Sequence, residues 1–426
     1  MNFDLVVFSH LRWDFVYQRP QHLLTRAALE RRVLFIEEPL PADEIHFKLR
    51  RDPSGVTVCV PHLPADLEPR KVEELLQQWV GTLVASQRLE NYAVWFYTPM
   101  MLPLAKNLVP KAIVYDCMDE LSAFKFAPPE LMQREAELLR KADVVFTGGH
   151  SLFEAKRQHH PNVHAMPSSV DALHFGQARK EQPEPSELVS IAHPRVGFVG
   201  VIDERMDLEL LSEVAALLPD VQFVMVGPVV KIDPASLPQA QNLHYLGGRS
   251  YAQLPAYLAH WDAAMMPFAI NESTRFISPT KTPEFLAAGK PVVSTPIRDV
   301  VRPYGEQDLV QIAGNAAEFA ACVTRALSED QTERCQRADK LIGGMSWDLT
   351  WRGMEAQIAK AIFKHTRALP TTSFKTGRLE SMLSNALPSN ALPSKNALPS
   401  NAGQRPAVSP SAALATALSN GSGGSD

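Results

Sequence analysis

The stretch Ser278-Pro279-Thr280-Lys281-Thr282-Pro283-Glu284-Phe285-Leu286-Ala287-Ala288-Gly289-Lys290-Pro291-Val292-Val293-Ser294 decides how this chain is read. It divides into a loop, a short helix and a buried strand. Ser278 or Thr282 can cap the helix, each is followed by a proline suited to a first helical turn, and Gly289 can close it. Pro291-Val292-Val293-Ser294 has the apolar, β-branched character of a strand entering a sheet. The unpaired N–H groups and positive dipole end at a helix mouth suit a phosphate. Lys281 adds a full charge there, and Glu284, one turn on, can accept hydrogen bonds from sugar hydroxyls. Phosphate and sugar together suggest a nucleotide-sugar. Turns of the form proline, short helix, glycine, strand are common in α/β proteins, so the rest of the chain must carry the assignment.

With 426 residues, 45% hydrophobic and 21% charged, the chain is long enough for two domains with sizeable cores. A net charge of −5 and the lack of a basic stripe argue against nucleic acid as a partner. Arg31-Arg32 and Arg50-Arg51 do not extend into longer basic runs and read as solvated surface. Cys59, Cys117, Cys322 and Cys335 are scattered, with no CxxC pair and no His/Cys cluster at zinc spacing, so reduced thiols and no metal site are expected. Met1-Asn2-Phe3-Asp4 lacks the basic start of a signal peptide, and no apolar run reaches bilayer length. The expectation is a soluble cytoplasmic protein.

Strand-like and helix-like segments alternate along the chain. Strands are expected at Phe3–Phe8, Val33–Glu37, Val56–Val60, Ala93–Tyr97, Ala112–Asp116 and Val144–Thr147, with helices between and after them. A polar, proline-bearing segment follows, and the rhythm restarts with strands at Arg195–Val199, Val221–Val226, Leu243–Leu246 and Ala263–Met266. Alternation of this kind predicts two α/β halves of the Rossmann type, each with a mostly parallel sheet, and a ligand in the cleft between them. The expected organisation is a first domain at 1–178, a linker at 179–190, a second domain at 191–345, a returning helix at 346–368 and a tail at 369–426. The tail repeats Ser-Asn-Ala-Leu-Pro and is expected to be disordered, since it offers too little apolar surface to offset its ordering entropy.

A second constellation, Gly197-Phe198-Val199-Gly200-Val201-Ile202-Asp203-Glu204-Arg205, follows the first strand of the second half. Gly200 lets a ligand approach the backbone, and the Arg205 guanidinium can grip a diphosphate. Both Arg205 and Lys281 belong on the ligand-binding edge of one predicted sheet.

Val199-Gly200 with Arg205, Val224-Met225-Val226-Gly227-Pro228, Leu243-His244-Tyr245-Leu246-Gly247, Trp261 to Phe268, and Pro279-Thr280-Lys281 with Glu284 to Val293 occur in an order that resembles the donor-binding half of a GT-B-fold glycosyltransferase, of the retaining family 4 type. The likeness extends over about 1–364, resting on weaker matches in the first half, such as Tyr115-Asp116 and Ser169-Val170-Asp171. It implies a GT-B α/β fold with two Rossmann-like domains facing a central cleft. It also implies that Arg205 and Lys281 hold the donor diphosphate, Glu284 the ribose, and Gly247, Gly248 and Arg249 the nucleobase. Gly200 and the loop Ser278-Pro279-Thr280 would lie against the phosphate, the loop through backbone N–H groups. The nucleotide-sugar is then a substrate, with no further cofactor. The family often has a glutamate eight positions before the second one; here Phe276 stands there, with Glu272 and Asn271 as substitutes from the same loop.

In the loop His10-Leu11-Arg12-Trp13-Asp14-Phe15-Val16-Tyr17-Gln18-Arg19, aromatic faces suit sugars, and Arg12, Trp13, Asp14 and Arg19 are the expected acceptor-binding residues. Packing of the loop onto the core is the other reading of its aromatics. Asp116 and Asp119, beyond a strand end, and His10 are the candidate catalytic groups; His150-Ser151 follows another strand. Capping and turn formation are the ordinary uses of such aspartates. The expected activity is transfer of a sugar from a UDP- or GDP-sugar to a hydroxyl of a glycan or lipid-linked acceptor in surface polysaccharide or glycolipid synthesis. Association with the inner face of a membrane stays open. The alternatives are a nucleotide-sugar 2-epimerase of the same fold, or an inactive carbohydrate-binding or assembly protein.

Overall fold

A computed structural model describes residues 3–368, so the repeats of the tail lie outside the described residues. The first half contributes strands β1 (Asp4–Ser9), β2 (Val33–Glu37), β3 (Leu40–Pro41), β4 (His46–Arg51), β5 (Thr57–Leu63), β6 (Tyr92–Phe96), β7 (Ala112–Cys117), β8 (Val144–Thr147) and β9 (Val163–Ala165). They form one sheet in the order β3-β5-β2-β1-β6-β7-β8-β9, with β4 paired to β5. The second half contributes β10 (Arg195–Val199), β11 (Gln222–Val226), β12 (Leu243–Gly247), β13 (Ala263–Met266), β14 (Val292–Ser294) and β15 (Gln311–Ile312), in the order β12-β11-β10-β13-β14-β15. Apart from the antiparallel β4–β5 hairpin, the pairings are parallel. Runs such as Val33–Glu37 and Tyr92–Phe96 are buried along their whole length, as a sheet covered on both faces requires.

The residues 3–368 form a single compact unit. Its first-half core is completed from the far end of the chain: in the helix Trp347–Ala368, Trp347, Trp351, Met354, Ile358 and Ile362 pack with Phe3, Leu5, Trp95 and Phe146 of the first sheet. Further ties join the halves. Asp299, of the second half, accepts the Ser151 N–H at 3.0 Å, and the Arg298 guanidinium lies against the Glu154 carboxylate. Tyr17 of the first half lies 4.6 Å from the Tyr251 ring of the second.

In the second core, Gly197 of β10 faces the indole of the buried Trp261; a Cβ there would lie 2.0 Å from Trp261 Cδ2. Gly197→Ala is therefore expected to destabilise the fold by roughly 1–3 kcal/mol, read by denaturant unfolding.

His22 packs between Trp347, stacked at 4.5 Å, and Tyr251. Burial pushes its pKa from 6.5 down to about 2, with Arg26 and Lys281 adding to the effect. Below its unfolded value the unfolded chain takes up a proton that the folded chain refuses, so His22 removes stability as pH falls. A His22→Gln chain should show a shallower loss of melting temperature than the native chain between about pH 7 and pH 5, where one such group contributes up to about 1.4 kcal/mol per pH unit.

Candidate functional site

The carboxyl ends of β10, β11 and β12 meet in a floor of bare backbone. Gly200 follows β10, Gly227 follows β11 and Gly247 ends β12. The Gly200 N–H donates to Val226 O and the Gly227 N–H to Gly247 O, each at 2.9 Å. A Cβ on Gly227 would lie 1.7 Å from the Gly200 carbonyl oxygen, so only glycine permits this approach. Above the floor lies a cavity of about 480 Å³, lined from the second half by Gly200, Gly227, Gly248, Arg249, Tyr251 and Lys281. The first half closes it with Trp13, Asp14, Phe15, Val16 and Tyr17.

The helix at the decisive stretch runs over Lys281–Ala287 and ends at Gly289, whose φ of +77° needs glycine. Neither expected cap is used. Thr280 stands at the N-cap without a side-chain hydrogen bond, and Thr282 turns inward to Met266 Sδ. Lys281 Nζ donates to Glu284 Oε2 at 2.9 Å. Glu284 is buried behind it, and burial raises its pKa while Lys281 pulls it down. The carboxylate thus anchors the ammonium at the cavity wall.

A smaller cavity of about 160 Å³ brings together Asp119 from the first half and Arg205, Lys281, Gly200, Ser278 and Thr280 from the second. Pro279 has no N–H to offer a phosphate. Arg205 is held in a two-pronged pair by Asp203, with Nε to Oδ1 at 2.9 Å and Nη2 to Oδ2 at 2.7 Å. The Asp119 loop is pinned on both sides: Cys117 Sγ donates to Asp119 O at 3.5 Å, and Lys156 Nζ lies 2.8 Å from Glu120. Burial raises the Asp119 pKa, with Arg205 the largest opposing influence.

Asp119, Arg205 and the loop residues Phe15 and Val16 also line a third cavity, of about 490 Å³, together with His10, Arg12 and Lys231. Burial and then the Lys231 charge push the His10 pKa down to about 4, so its ring is neutral at physiological pH. The three cavities therefore share walls and run along one cleft.

Two candidate residues point elsewhere. Asp116 is fully buried and takes a two-pronged contact from Arg19, with both Nε and Nη2 at 2.9 Å, while Arg19 Nη1 donates to Met166 O at 2.7 Å. Asp116 is thus a scaffold partner rather than a cleft acid, and Arg19, only 2% exposed, is spent on holding it rather than an acceptor. Arg12 is committed to Glu37 and the Glu38 carbonyl, and Asp14 to Arg50. Trp13 is buried against Phe35 and contributes a wall to the 480 Å³ cavity, the one that holds Gly200 and Lys281. Arg249 lines that cavity too, held by Glu187 at 2.8 Å. Ser151 lines none of these three cavities, and its N–H is taken by Asp299. Phe276 packs against the first-half core. Its proposed substitutes do not replace a glutamate: Glu272 is exposed and paired with Arg275, and Asn271 accepts from Ser273 N and Oγ. Sequence reasoning missed Tyr251, Glu204 and Lys231. A tyrosine at a helix start and a lysine on a polar turn carry no local signal of a cleft.

Comparison with known proteins fits this geometry. Residues 193–329 match the family model described as Glycosyl transferases group 1. That match lies within the second half, over the strands and turns that build the glycine floor. TuaH of Bacillus subtilis (strain 168), provisionally named as a teichuronic acid biosynthesis glycosyltransferase, is 28% identical over 231 residues, which span 50% of this chain and 57% of TuaH. The chain thus matches little more than half the length of that relative. Solved structures share the fold at low identity. Anabaena Alr3699/HepE, in complex with UDP and glucose, has a TM-score of 0.62 at 14% identity, covering 84% of this chain and 100% of that one. Sucrose-phosphate synthase from Thermosynechococcus elongatus has a TM-score of 0.61 at 15% identity, covering 85% and 100%. The E. coli trehalose-6-phosphate protein bound with UDP-2-fluoro glucose has a TM-score of 0.59 at 12% identity, covering 84% and 99%. The two-sheet architecture is that of the GT-B fold.

Proposed function

We propose that the chain is a glycosyltransferase that moves a sugar from a nucleoside-diphosphate sugar to an acceptor hydroxyl in surface polysaccharide or glycolipid synthesis. The observation that carries this reading is the 160 Å³ cavity, where Asp119 of one half faces Arg205 and Lys281 of the other. The nucleoside part of the donor occupies the 480 Å³ cavity over the glycine floor, against Gly248 and Arg249. The diphosphate reaches Lys281 and Arg205, and the acceptor enters from the 490 Å³ side. As the sugar–phosphate bond breaks, negative charge gathers on the departing diphosphate, and the two fixed cations stabilise it where it develops. Each is already oriented by a carboxylate, Glu284 or Asp203, so little reorganisation is needed at the moment of transfer. Asp119 and the neutral His10 stand on the acceptor side, placed to orient the incoming hydroxyl and accept its proton. In this reading the anomeric configuration is retained and the cations do the work without a metal ion; family resemblance supports both points. Glu284 would accept from the ribose through the carboxylate oxygen that Lys281 does not engage.

Apolar side chains on the 490 Å³ cavity, among them Met100, Leu121, Phe124, Phe126 and Leu131, support a lipid-linked acceptor. No helix among the described residues is long and apolar enough to cross a membrane, so contact with a lipid-bound acceptor at the inner membrane surface would be peripheral. The UDP and UDP-2-fluoro glucose bound in two of the solved neighbours fit a UDP-sugar donor, and the name of TuaH fits polysaccharide biosynthesis.

A melting screen against UDP-, GDP-, ADP- and dTDP-sugars tests the donor assignment. One nucleotide class should raise the melting temperature, because a ligand that binds the folded state stabilises it. Gly227→Ala should abolish that shift. No shift with any class would contradict the reading. Conversion of a lone UDP-sugar into its epimer would instead identify an epimerase.

A further inference from the structure

We infer that Glu204, from the second half, binds hydroxyl groups of the acceptor together with His10 of the first half; this rests on the transferase reading above. Both Glu204 carboxylate oxygens are shut off from solvent and have no hydrogen-bond partner among the described residues. The neighbouring cation supplies none: Arg205 turns its Nε and Nη2 edge to Asp203. His10 Nδ1 is likewise shielded and without a partner. Both residues line the 490 Å³ cavity, and neither lines the 480 Å³ cavity over the glycine floor.

A shielded carboxylate without donors is costly, and a ligand that supplies donors recovers that cost. The chemistry of the pair defines the ligand. A carboxylate accepts only, and its two oxygens suit two adjacent O–H donors, as on a pyranose ring. A neutral imidazole takes a third hydroxyl as donor or acceptor. Glu204 directly precedes Arg205, so an acceptor held here sits beside the cation assigned to the diphosphate. The donor half would then contribute to reading the acceptor, and Glu204 sets which acceptor is used.

The test uses the full chain, the UDP- or GDP-sugar that stabilises it, and octyl hexopyranosides as acceptors, each also as its single-deoxy analogues. Glu204→Ala should lower kcat/KM for the preferred glycoside by roughly 10- to 100-fold. Glu204→Gln, which keeps the shape, should show part of that loss. Nucleotide affinity, measured by calorimetry, should stay within about two-fold in both, which also reports that they fold. One deoxy analogue should be a poor acceptor for the native chain by the same factor, and Glu204→Ala should no longer discriminate against it. The assignment is overturned if both variants keep the native acceptor profile, or if the loss appears in nucleotide affinity instead. If the native chain transfers to no glycoside, the transferase reading falls first and takes this assignment with it.

Discussion

Lys281→Ala is expected to weaken binding of the nucleoside diphosphate by roughly 10- to 100-fold, the worth of one charge-assisted hydrogen bond of about 1.5–3 kcal/mol. The ammonium lines both the 480 Å³ and the 160 Å³ cavities, which makes it the cation shared by the nucleoside and the reaction centre. The substitution has a second effect. Glu284, 5% exposed and 2.9 Å from Nζ, loses its partner and is left as a buried carboxylate. That carboxylate should then take up a proton at higher pH, because burial already raises its pKa and the chief opposing charge is gone. The double variant Lys281→Ala/Glu284→Gln separates the two effects: it should regain melting temperature without regaining nucleotide affinity. Equal affinities in the native chain and Lys281→Ala, by calorimetry, would remove Lys281 from the site.

Arg19→Met is expected to cost about 3–5 kcal/mol of stability, because it strands a fully buried carboxylate. Among the described residues no other cation pairs with Asp116, and Arg19 also fastens Met166 O, so the pair ties β7 to the helix Arg19–Ala28 and to the segment after β9. A drop in melting temperature on the order of 10 °C should follow. The pair is replaceable in principle: Arg19→Met/Asp116→Leu should recover much of the loss, since removing both charges leaves nothing unpaired. A native melting temperature in Arg19→Met, accompanied by weaker acceptor use, would return Arg19 to the acceptor site.

That pair also marks where the sequence stopped being informative. Tyr115-Asp116 reads as a strand end near a cleft, and Arg19 as a loop cation near an acceptor. Their partnership, across 97 positions, exists only once β1 and β7 share a sheet. Parallel strands that are short apolar runs were legible, and β8, β10 and β13 fall at the expected bounds, whereas the two- and three-residue parallel strands β3, β9 and β15 were not anticipated. The hairpin strand β4 was not, since His46-Phe47-Lys48-Leu49-Arg50-Arg51 is largely exposed and reads as polar surface. The decisive stretch correctly juxtaposed Lys281 and Glu284, which one helical turn sets three residues apart. Its caps were misread, because Thr282 faces the core rather than the helix mouth. The aromatic loop 13–17 was expected to serve the acceptor, yet it roofs the cavity over the glycine floor; which half's pocket a loop closes depends on how the two halves meet.

The most direct test of the cleft as a site of sugar transfer is the rate of nucleotide release from the stabilising nucleotide-sugar as a glycoside acceptor is added. Release should rise with acceptor and saturate, and Asp119→Ala should suppress that rise while the nucleotide still binds. Release that ignores the acceptor at every concentration, with any nucleotide-sugar that binds, would contradict it.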